Sequence, residues 1–174
     1  MEYTFTLKYQ LATSAGNIDG VVERLGAGGC DDALVGIGLP GRIALMFTRE
    51  SGSAHEAIVS ALANVRRAVP DATLIEATPD FVGLTDVAEA IGVSRQNMRK
   101  LMTTHPASFP LPVHEGSASV WHLADVLGWL LQRGTYDVDP TLVDIAHITM
   151  QVNLARGASR LSPEIGQQLT ELVA

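Results

Sequence analysis

The chain has 174 residues, of which 47% are hydrophobic and 18% are charged, and its formal net charge is −7. This length allows one domain of ordinary size or two small ones, and the apolar content excludes disorder of the whole chain. The negative charge argues against a generally basic nucleic-acid-binding protein. The single cysteine, Cys30, excludes an internal disulfide and a cysteine-based metal cluster.

Residues 2–78 carry hydrophobic patterns that predict the element order βαββαβ. Apolar residues at every second position from Tyr3 to Leu11 predict a first strand with one buried face. The further elements are a helical stripe over 18–25, two apolar strands around the turn LPGR, a helix opened by Ser53 and Glu56 as a capping box, and the strand ATLIEA. This order predicts an α+β fold that begins with a ferredoxin-like domain over residues 1–78, with a four-stranded antiparallel sheet and two helices on one face.

Two short helices joined by a tight turn are predicted after a boundary at residues 78–80. Thr85 is the predicted N-cap of the first helix, and Asp86 is placed favourably on its dipole. Gly92 is expected to end that helix in the left-handed conformation, and Ser94 is expected to cap the next helix two residues later. Two helices joined by so short a turn form a helix-turn-helix.

The second helix of this pair lies in the stretch GVSRQNMRKLM and has a polar face suited to the major groove of DNA. Met98, Leu101 and Met102 are predicted to face the core. The candidate DNA-binding residues of the helix pair are Thr85, Ser94, Arg95, Gln96, Asn97, Arg99 and Lys100. Gln and Asn recognise adenine edges, Arg recognises guanine or phosphate, and a serine-capped helix N-terminus favours the phosphate backbone. The alternative is an ordinary solvated face, but such a face would contain glutamate, and positions 94–112 contain none.

The segment FPLPVHEGSASVWHLADVLGWL (109–130) adds a further pattern, carried by Phe109, Pro110, Pro112, Val113, Gly116, Trp121, Asp125, Val126 and Trp129. It resembles the region after the recognition helix in the MerR and excisionase-like winged helix-turn-helix group, which includes phage-type AlpA regulators. The resemblance implies a winged helix-turn-helix DNA-binding domain over residues 81–134. In it PVHE and SVWH are wing strands that turn at residues 115–117, and a third helix docks over the first two.

The wing of this chain departs from a basic wing in its chemistry. It carries His114, Glu115 and Ser117 where a basic wing would carry Lys or Arg. Two alternatives follow from this departure: the wing makes no phosphate contact, or it contacts DNA through His114 and Ser117 in a way that is pH-sensitive through His114.

Two helices are predicted in the C-terminal segment, residues 138–174. Asp139 is the predicted N-cap and Pro140 the first-turn residue of a helix that runs to about Ala155, and Ser162-Pro163-Glu164 begins the second. Apolar residues cover much of the circumference of the first helix, which indicates burial on more than one side. We expect a partner subunit to supply part of that burial, so the segment is predicted to be an oligomerisation element of a homodimer.

Enzymatic and metal chemistry is not indicated by the sequence. The five histidines are scattered, and no catalytic triad, paired carboxylates or phosphate-binding loop stands out, so we expect no enzyme activity, no cofactor and no metal. No apolar run approaches the roughly 20 residues of a membrane-spanning helix, and the expected location is the cytoplasm.

These patterns together predict a sequence-specific protein that binds double-stranded DNA as a dimer, with regulation of transcription as its use. Two alternatives stay open. The same DNA contact would serve a phage-type excisionase or a small DNA-packaging subunit. The acidic chain could instead be an antitoxin-like interaction module that covers a protein partner with the sheet of residues 2–78.

Overall fold

The computed structural model describes residues 1–173 and has a mixed α+β fold. The strands are β1 (Glu2–Gln10), β2 (Ala33–Ile37), β3 (Arg42–Glu50), β4 (Thr73–Thr78), β5 (Phe81–Val82) and β6 (Trp121–His122). The helices are α1 (Ile18–Ala27), α2 (Ala54–Ala68), α3 (Leu84–Ala90), α4 (Arg95–Thr104), α5 (Leu123–Arg133), α6 (Pro140–Ala158) and α7 (Pro163–Val173), with a 3-10 turn at Thr13–Ala15. No helix between residues 1 and 173 has the length and apolar character needed to span a membrane.

The first four strands form one antiparallel sheet in the order β2-β3-β1-β4. The alternation predicted for β1 is confirmed, because Tyr3, Phe5, Leu7 and Tyr9 are all buried. They form the first apolar cluster with side chains of β3, α1 and α2, in which the rings of Phe5 and Phe47 stack with 5.3 Å between centroids. The predicted order of elements for residues 2–78 is present, since α1 and α2 fall between β1 and β2 and between β3 and β4.

Arg49 of β3 ties the end of α1 to α2. Its guanidinium donates two hydrogen bonds to the Asp32 carboxylate, at 2.6 and 2.8 Å, one to the Gly29 carbonyl at 2.8 Å, and one to the Ser60 hydroxyl at 3.0 Å. The hydrogen bonds from Arg49 lower the pKa of Asp32, and its positive charge acts in the same direction, against the effect of burial. The pair is therefore a charge-assisted, two-point contact that stabilises the ionised carboxylate.

This pair predicts a pH-dependent contribution to stability. A lowered folded-state pKa gives stability that is present above the ordinary aspartate value of 3.8 and is lost as the pH falls through the lowered pKa. We expect Asp32→Asn to reduce the free energy of unfolding by about 1–2 kcal/mol at pH 7 and by progressively less as the pH falls below 3.8. Urea unfolding from pH 7 to pH 2.5 measures this difference. A constant difference across that range would contradict the prediction, and Asp71→Asn, at an exposed position, is the control.

Helix α6 lies between two apolar clusters of its own chain. Ile145 belongs to the first cluster, whereas Ala146 belongs to the second, which is formed by side chains of α3, α4 and α5 together with residues near them. The predicted burial on more than one side is confirmed, and so is Asp139 as the N-cap, because its carboxylate accepts from the Thr141 N–H at 2.9 Å. The premise that this burial needs a partner subunit is wrong, because the chain itself covers both sides. The homodimer stays a prediction.

A buried polar network joins α6 to the segment that links the sheet to the helices after it. Asp80 is 1% exposed; its carboxylate accepts from the Asn153 amide at 2.7 Å and contacts Nδ1 of His122 at 2.7 Å. The Asn153 amide also pairs with the N–H and C=O of Ala77 on strand β4, at 2.9 and 2.8 Å, and the Thr149 hydroxyl donates to the Pro79 carbonyl. Helix α6 thus satisfies backbone groups at the β4 edge of the sheet.

Helix α7 differs from α6 because none of its described residues is buried. The spacing of Ile165, Leu169, Leu172 and Val173 predicts that they share one face of this helix, and all four are exposed. The division of the chain into residues 1–78, 81–134 and 138–174, and the oligomerisation role of the last of these segments, stay predictions.

Candidate nucleic-acid interface

Helices α3 and α4 are joined by a turn of the predicted kind. Gly92 has a φ of 68°, in the left-handed region that favours glycine, and the hydroxyl of Ser94 accepts from the Asn97 N–H at 3.1 Å. Val87 and Ala88 of α3 and Met98 of α4 are buried against each other's helices in the second apolar cluster. Ser94 therefore fixes the start of α4, and the burial of Met98 leaves the opposite face of that helix outward.

The predicted cap of α3 is wrong. The helix begins after Gly83, and the Asp86 carboxylate accepts from the Gly83 N–H at 2.7 Å. Asp86 lies three residues after Gly83, so its side chain reaches back over the first turn and satisfies that donor. Thr85 is consequently inside the first turn with an exposed side chain.

The outward face of α4 has the predicted composition. Arg95, Gln96, Arg99 and Lys100 are exposed, whereas Met98 is buried and Asn97 is half-buried. None of the ion pairs found within residues 1–173 uses Arg95, Arg99 or Lys100. Three cations and one amide are thus presented to solvent within two helical turns, which is the spacing that faces one groove.

Four of the predicted residues meet in one cleft of about 490 Å³ between α3, α4 and the wing segment. These are Thr85, Arg95, Arg99 and Ser117. The other lining residues are Gly83, Leu84, Asp86, Met102, Thr103, Ala118, Ser119 and Trp121. Ser94, Gln96, Asn97, Lys100 and His114 do not line it. The cleft therefore joins the two arginines to hydroxyl groups that come from three separate parts of the chain.

Two hydroxyl residues of this cleft, Thr103 and Ser119, were not predicted. Thr103 lies four residues after Arg99 and so on the same side of α4, a spacing visible in the sequence. Ser119 had no such signal, because its place beside α4 depends on how the wing segment folds back. Asp86 is the acidic group of the cleft, and its carboxylate is already bound to the Gly83 N–H.

The wing is much shorter than predicted. Its two expected strands are reduced to one bridge, in which Val120 N–H donates to the His114 carbonyl at 3.0 Å and Val113 N–H to the Val120 carbonyl at 2.7 Å. Trp121 and His122 pair with Phe81 and Val82 instead of continuing the hairpin. Proline at 112 removes a backbone donor from the first expected strand, which is a physical reason for the short ladder.

His114 and Ser117 are both exposed on this wing segment. A Cβ at Gly116 would lie 2.7 Å from Nε2 of His114, so a larger residue there would displace the exposed His114 ring. The His114 ring therefore packs over the glycine backbone at the tip.

Aromatic side chains hold the wing segment and α5 together. The ring of Phe109 packs edge-on against Trp129 and Trp121, with centroids 5.1 and 6.1 Å apart. The indole N–H of Trp121 donates to the Pro110 carbonyl at 3.0 Å. Residues that carried the sequence resemblance thus form the core below the wing. The spacing of Leu123, Val126, Leu127, Leu130 and Leu131 predicts the face by which α5 docks. The first four are buried, but Leu131 is exposed.

A scan of the chain against protein-family models found no matching family, and a search of curated proteins found no match. The resemblance to the MerR and excisionase-like group therefore stays a prediction.

Proposed function

We propose that this chain is a cytoplasmic, sequence-specific DNA-binding protein that regulates transcription, with residues 81–134 acting as a winged helix-turn-helix. The observation that carries the proposal is the outward face of α4, where Arg95, Gln96, Arg99 and Lys100 are exposed with no acidic neighbour on the helix. The turn at Gly92 and the packing of α3 behind α4 support it. For residues 1–78 we propose the ferredoxin-like arrangement, which the strand order β2-β3-β1-β4 supports.

Each exposed residue of α4 has a role in this proposal. Gln96 binds an adenine edge, whereas Arg95 and Arg99 bind guanine edges or the phosphates beside the cleft. Lys100 binds a phosphate and contributes affinity without sequence preference. Asn97 contributes less than these residues, because its side chain is half-buried.

The charge of the chain sets the expected mode of binding. Acidic and basic residues balance in residues 81–134, and the rest of the chain is acidic, so non-specific attraction to DNA is weak. A single module of this size buries a limited interface, and two copies on two half-sites would supply the missing affinity. The same contact fits an excisionase or a small DNA-packaging subunit, which would mark or bend DNA for another machine. A circular-permutation gel assay measures such bending.

The test is a selection of binding sites from random DNA, followed by affinity measurements at two salt concentrations. We expect Arg95→Ala, Gln96→Ala and Arg99→Ala each to cost about 1–3 kcal/mol of specific binding. The triple variant should bind the selected site no better than random DNA. Arg66→Ala, at an exposed position on α2, removes one positive charge outside this face and is the matched control.

The single variants separate base recognition from phosphate contact. Gln96→Ala should change the preferred sequence, whereas Lys100→Ala should weaken binding to all sequences by a similar factor and reduce the salt dependence. If the triple variant binds the selected site as tightly as the unmodified protein, α4 is not the recognition helix.

A further inference from the structure

The two edge strands of the sheet, β4 and β2, differ in whether other parts of the chain bind their outward backbone groups. At the β4 edge, Asn153 of α6 binds the outward N–H and C=O of Ala77. Within residues 1–173 no hydrogen bond of this kind covers the β2 edge, and its sequence, ALVGI, contains neither the charged residue nor the proline that usually protects an edge strand. Leu34 is 67% exposed and Ile37 is 64% exposed, and Met46, the β3 neighbour of Leu34, is also exposed.

The hydrogen-bond pattern shows which backbone groups of β2 are free for pairing. Gly38 N–H donates to the Arg42 carbonyl and Thr48 N–H to the Asp32 carbonyl, so residues 32, 34, 36 and 38 direct their backbone groups toward β3. Residues 33, 35 and 37 consequently direct theirs outward. Since the Ala33 N–H is bound to the Cys30 carbonyl at 3.1 Å, the edge offers two donors, Val35 and Ile37, and three carbonyl acceptors.

From these observations we propose that β2 pairs antiparallel with β2 of a second copy of the chain, about a twofold axis at Val35, and that the two sheets become one. In this register Val35 of each copy exchanges two hydrogen bonds with Val35 of the other. Each Ile37 N–H donates to the Ala33 carbonyl of the second copy. All outward donors and acceptors between residues 33 and 37 lie opposite a matching group, apart from the Ile37 carbonyls, which face the occupied Ala33 N–H.

The side chains fit the same register. On one face Leu34 lies beside Gly36 of the second copy, and on the other Ile37 lies beside Ala33, so these two large residues each meet a small one, while Val35 lies opposite Val35 at the axis. Pairing therefore covers Leu34 and Ile37 without a clash between bulky residues.

Charge also favours a second copy as the occupant. The N-terminal end of β2 carries exposed Asp31, and the C-terminal end lies beside exposed Arg42. In an antiparallel twofold pair, Asp31 of each copy lies at the end of the pair that also carries Arg42 of the other copy, so opposite charges meet at both ends. A parallel pair would instead place Asp31 beside Asp31.

The dimer is independent of DNA binding by α4 and is tested on the full-length protein without DNA. Sedimentation at several micromolar concentrations should show a dimer. Ile37→Pro removes one outward donor from each copy but no hydrogen bond to β3, and Leu34→Lys places two positive charges near the axis. We expect each variant to raise the dissociation constant at least about tenfold. Val59→Lys, at an exposed position on α2, is the matched control and should leave the dimer intact.

Amide hydrogen exchange provides a second measurement that needs no variant. The amides of Val35 and Ile37 should become slower to exchange as protein concentration rises, whereas those of Leu34 and Gly36, which face β3, should not change. A monomer at all concentrations would overturn the proposal. The proposal would also be wrong if a different protein, and not a second copy, occupied this edge. A dimer unaffected by Ile37→Pro and Leu34→Lys but lost on removal of residues 159–174 would overturn it in favour of α7.

Discussion

Removal of residues 138–174 is expected to abolish cooperative folding of the whole chain. The deletion takes away α6, whose Ile145 and Ala146 are buried in two different apolar clusters. Burial of one aliphatic side chain contributes about 1.5–3 kcal/mol, and α6 adds Leu142, Val143, Ile148 and Val152 to the same clusters. The sum approaches the 5–15 kcal/mol that typically separates folded from unfolded protein. Thermal unfolding followed by circular dichroism should show no sharp transition, and the truncated protein should aggregate.

A shorter deletion is the matched control. Removing residues 159–174 takes away α7, in which none of the described residues is buried. We expect that protein to unfold with nearly the same midpoint as the full chain. If both truncated proteins unfold like the full chain, α6 does not stabilise the fold as its packing indicates. If both lose their transition, α7 has a stabilising role that its exposure does not explain.

Asn153→Ala is expected to be strongly destabilising for the substitution of a single polar residue. It leaves the Ala77 N–H and C=O without their partner and takes a donor from the Asp80 carboxylate, which is buried. A buried polar group without a partner costs about 1–3 kcal/mol, and a charged one costs more. We therefore expect the free energy of unfolding to fall by about 3 kcal/mol or more.

Unfolding of the Asn153→Ala variant can be followed by tryptophan fluorescence and by circular dichroism. Both tryptophans, Trp121 and Trp129, lie in the second apolar cluster, so their fluorescence reports that part of the molecule, whereas far-ultraviolet circular dichroism reports all of it. The two signals should shift together in urea, because Asn153 contacts both the sheet and the linker at Asp80. Gln151→Ala, at an exposed position on the same helix, should change the unfolding midpoint little. An equal effect of the two substitutions would refute the assigned role of Asn153.

Local signals in the sequence predicted the individual elements well. Ser53 accepts from the Glu56 N–H, and Ser94 and Asp139 cap their helices in the same way. Each of these contacts spans two or three residues, so the residues that decide it are adjacent in the sequence. The sequence pattern favours Thr85 over Gly83 as the cap of α3, because Thr85 has a side-chain oxygen and Gly83 has no side chain. Instead, Asp86 provides the acceptor for the Gly83 N–H.

The candidate site was predictable only where it lies on one helix. The outward position of Arg95, Gln96, Arg99 and Lys100 follows from the helical period once Met98 is placed in the core. The cleft that joins Arg95 and Arg99 to Ser117 could not be predicted, because Ser117 comes from a segment whose path depends on Trp121 and His122. These two residues pair with β5, some forty positions earlier in the chain, instead of extending the wing.

The sequence by itself determined the order of elements over residues 2–78, the helices that follow, the caps at Ser53, Ser94 and Asp139, the buried face of β1 and the polar face of α4. Hydrogen-bonding and hydrophobic periods within about ten residues specify all of these. Only the tertiary structure decided that α6 covers both apolar clusters, that Asp80, His122 and Asn153 meet, and that the sheet is covered at β4 and open at β2. Such contacts join residues that are about 40 to 75 positions apart. An apolar face in the sequence shows that it needs cover, but the identity of the covering element is settled only when distant segments pack together.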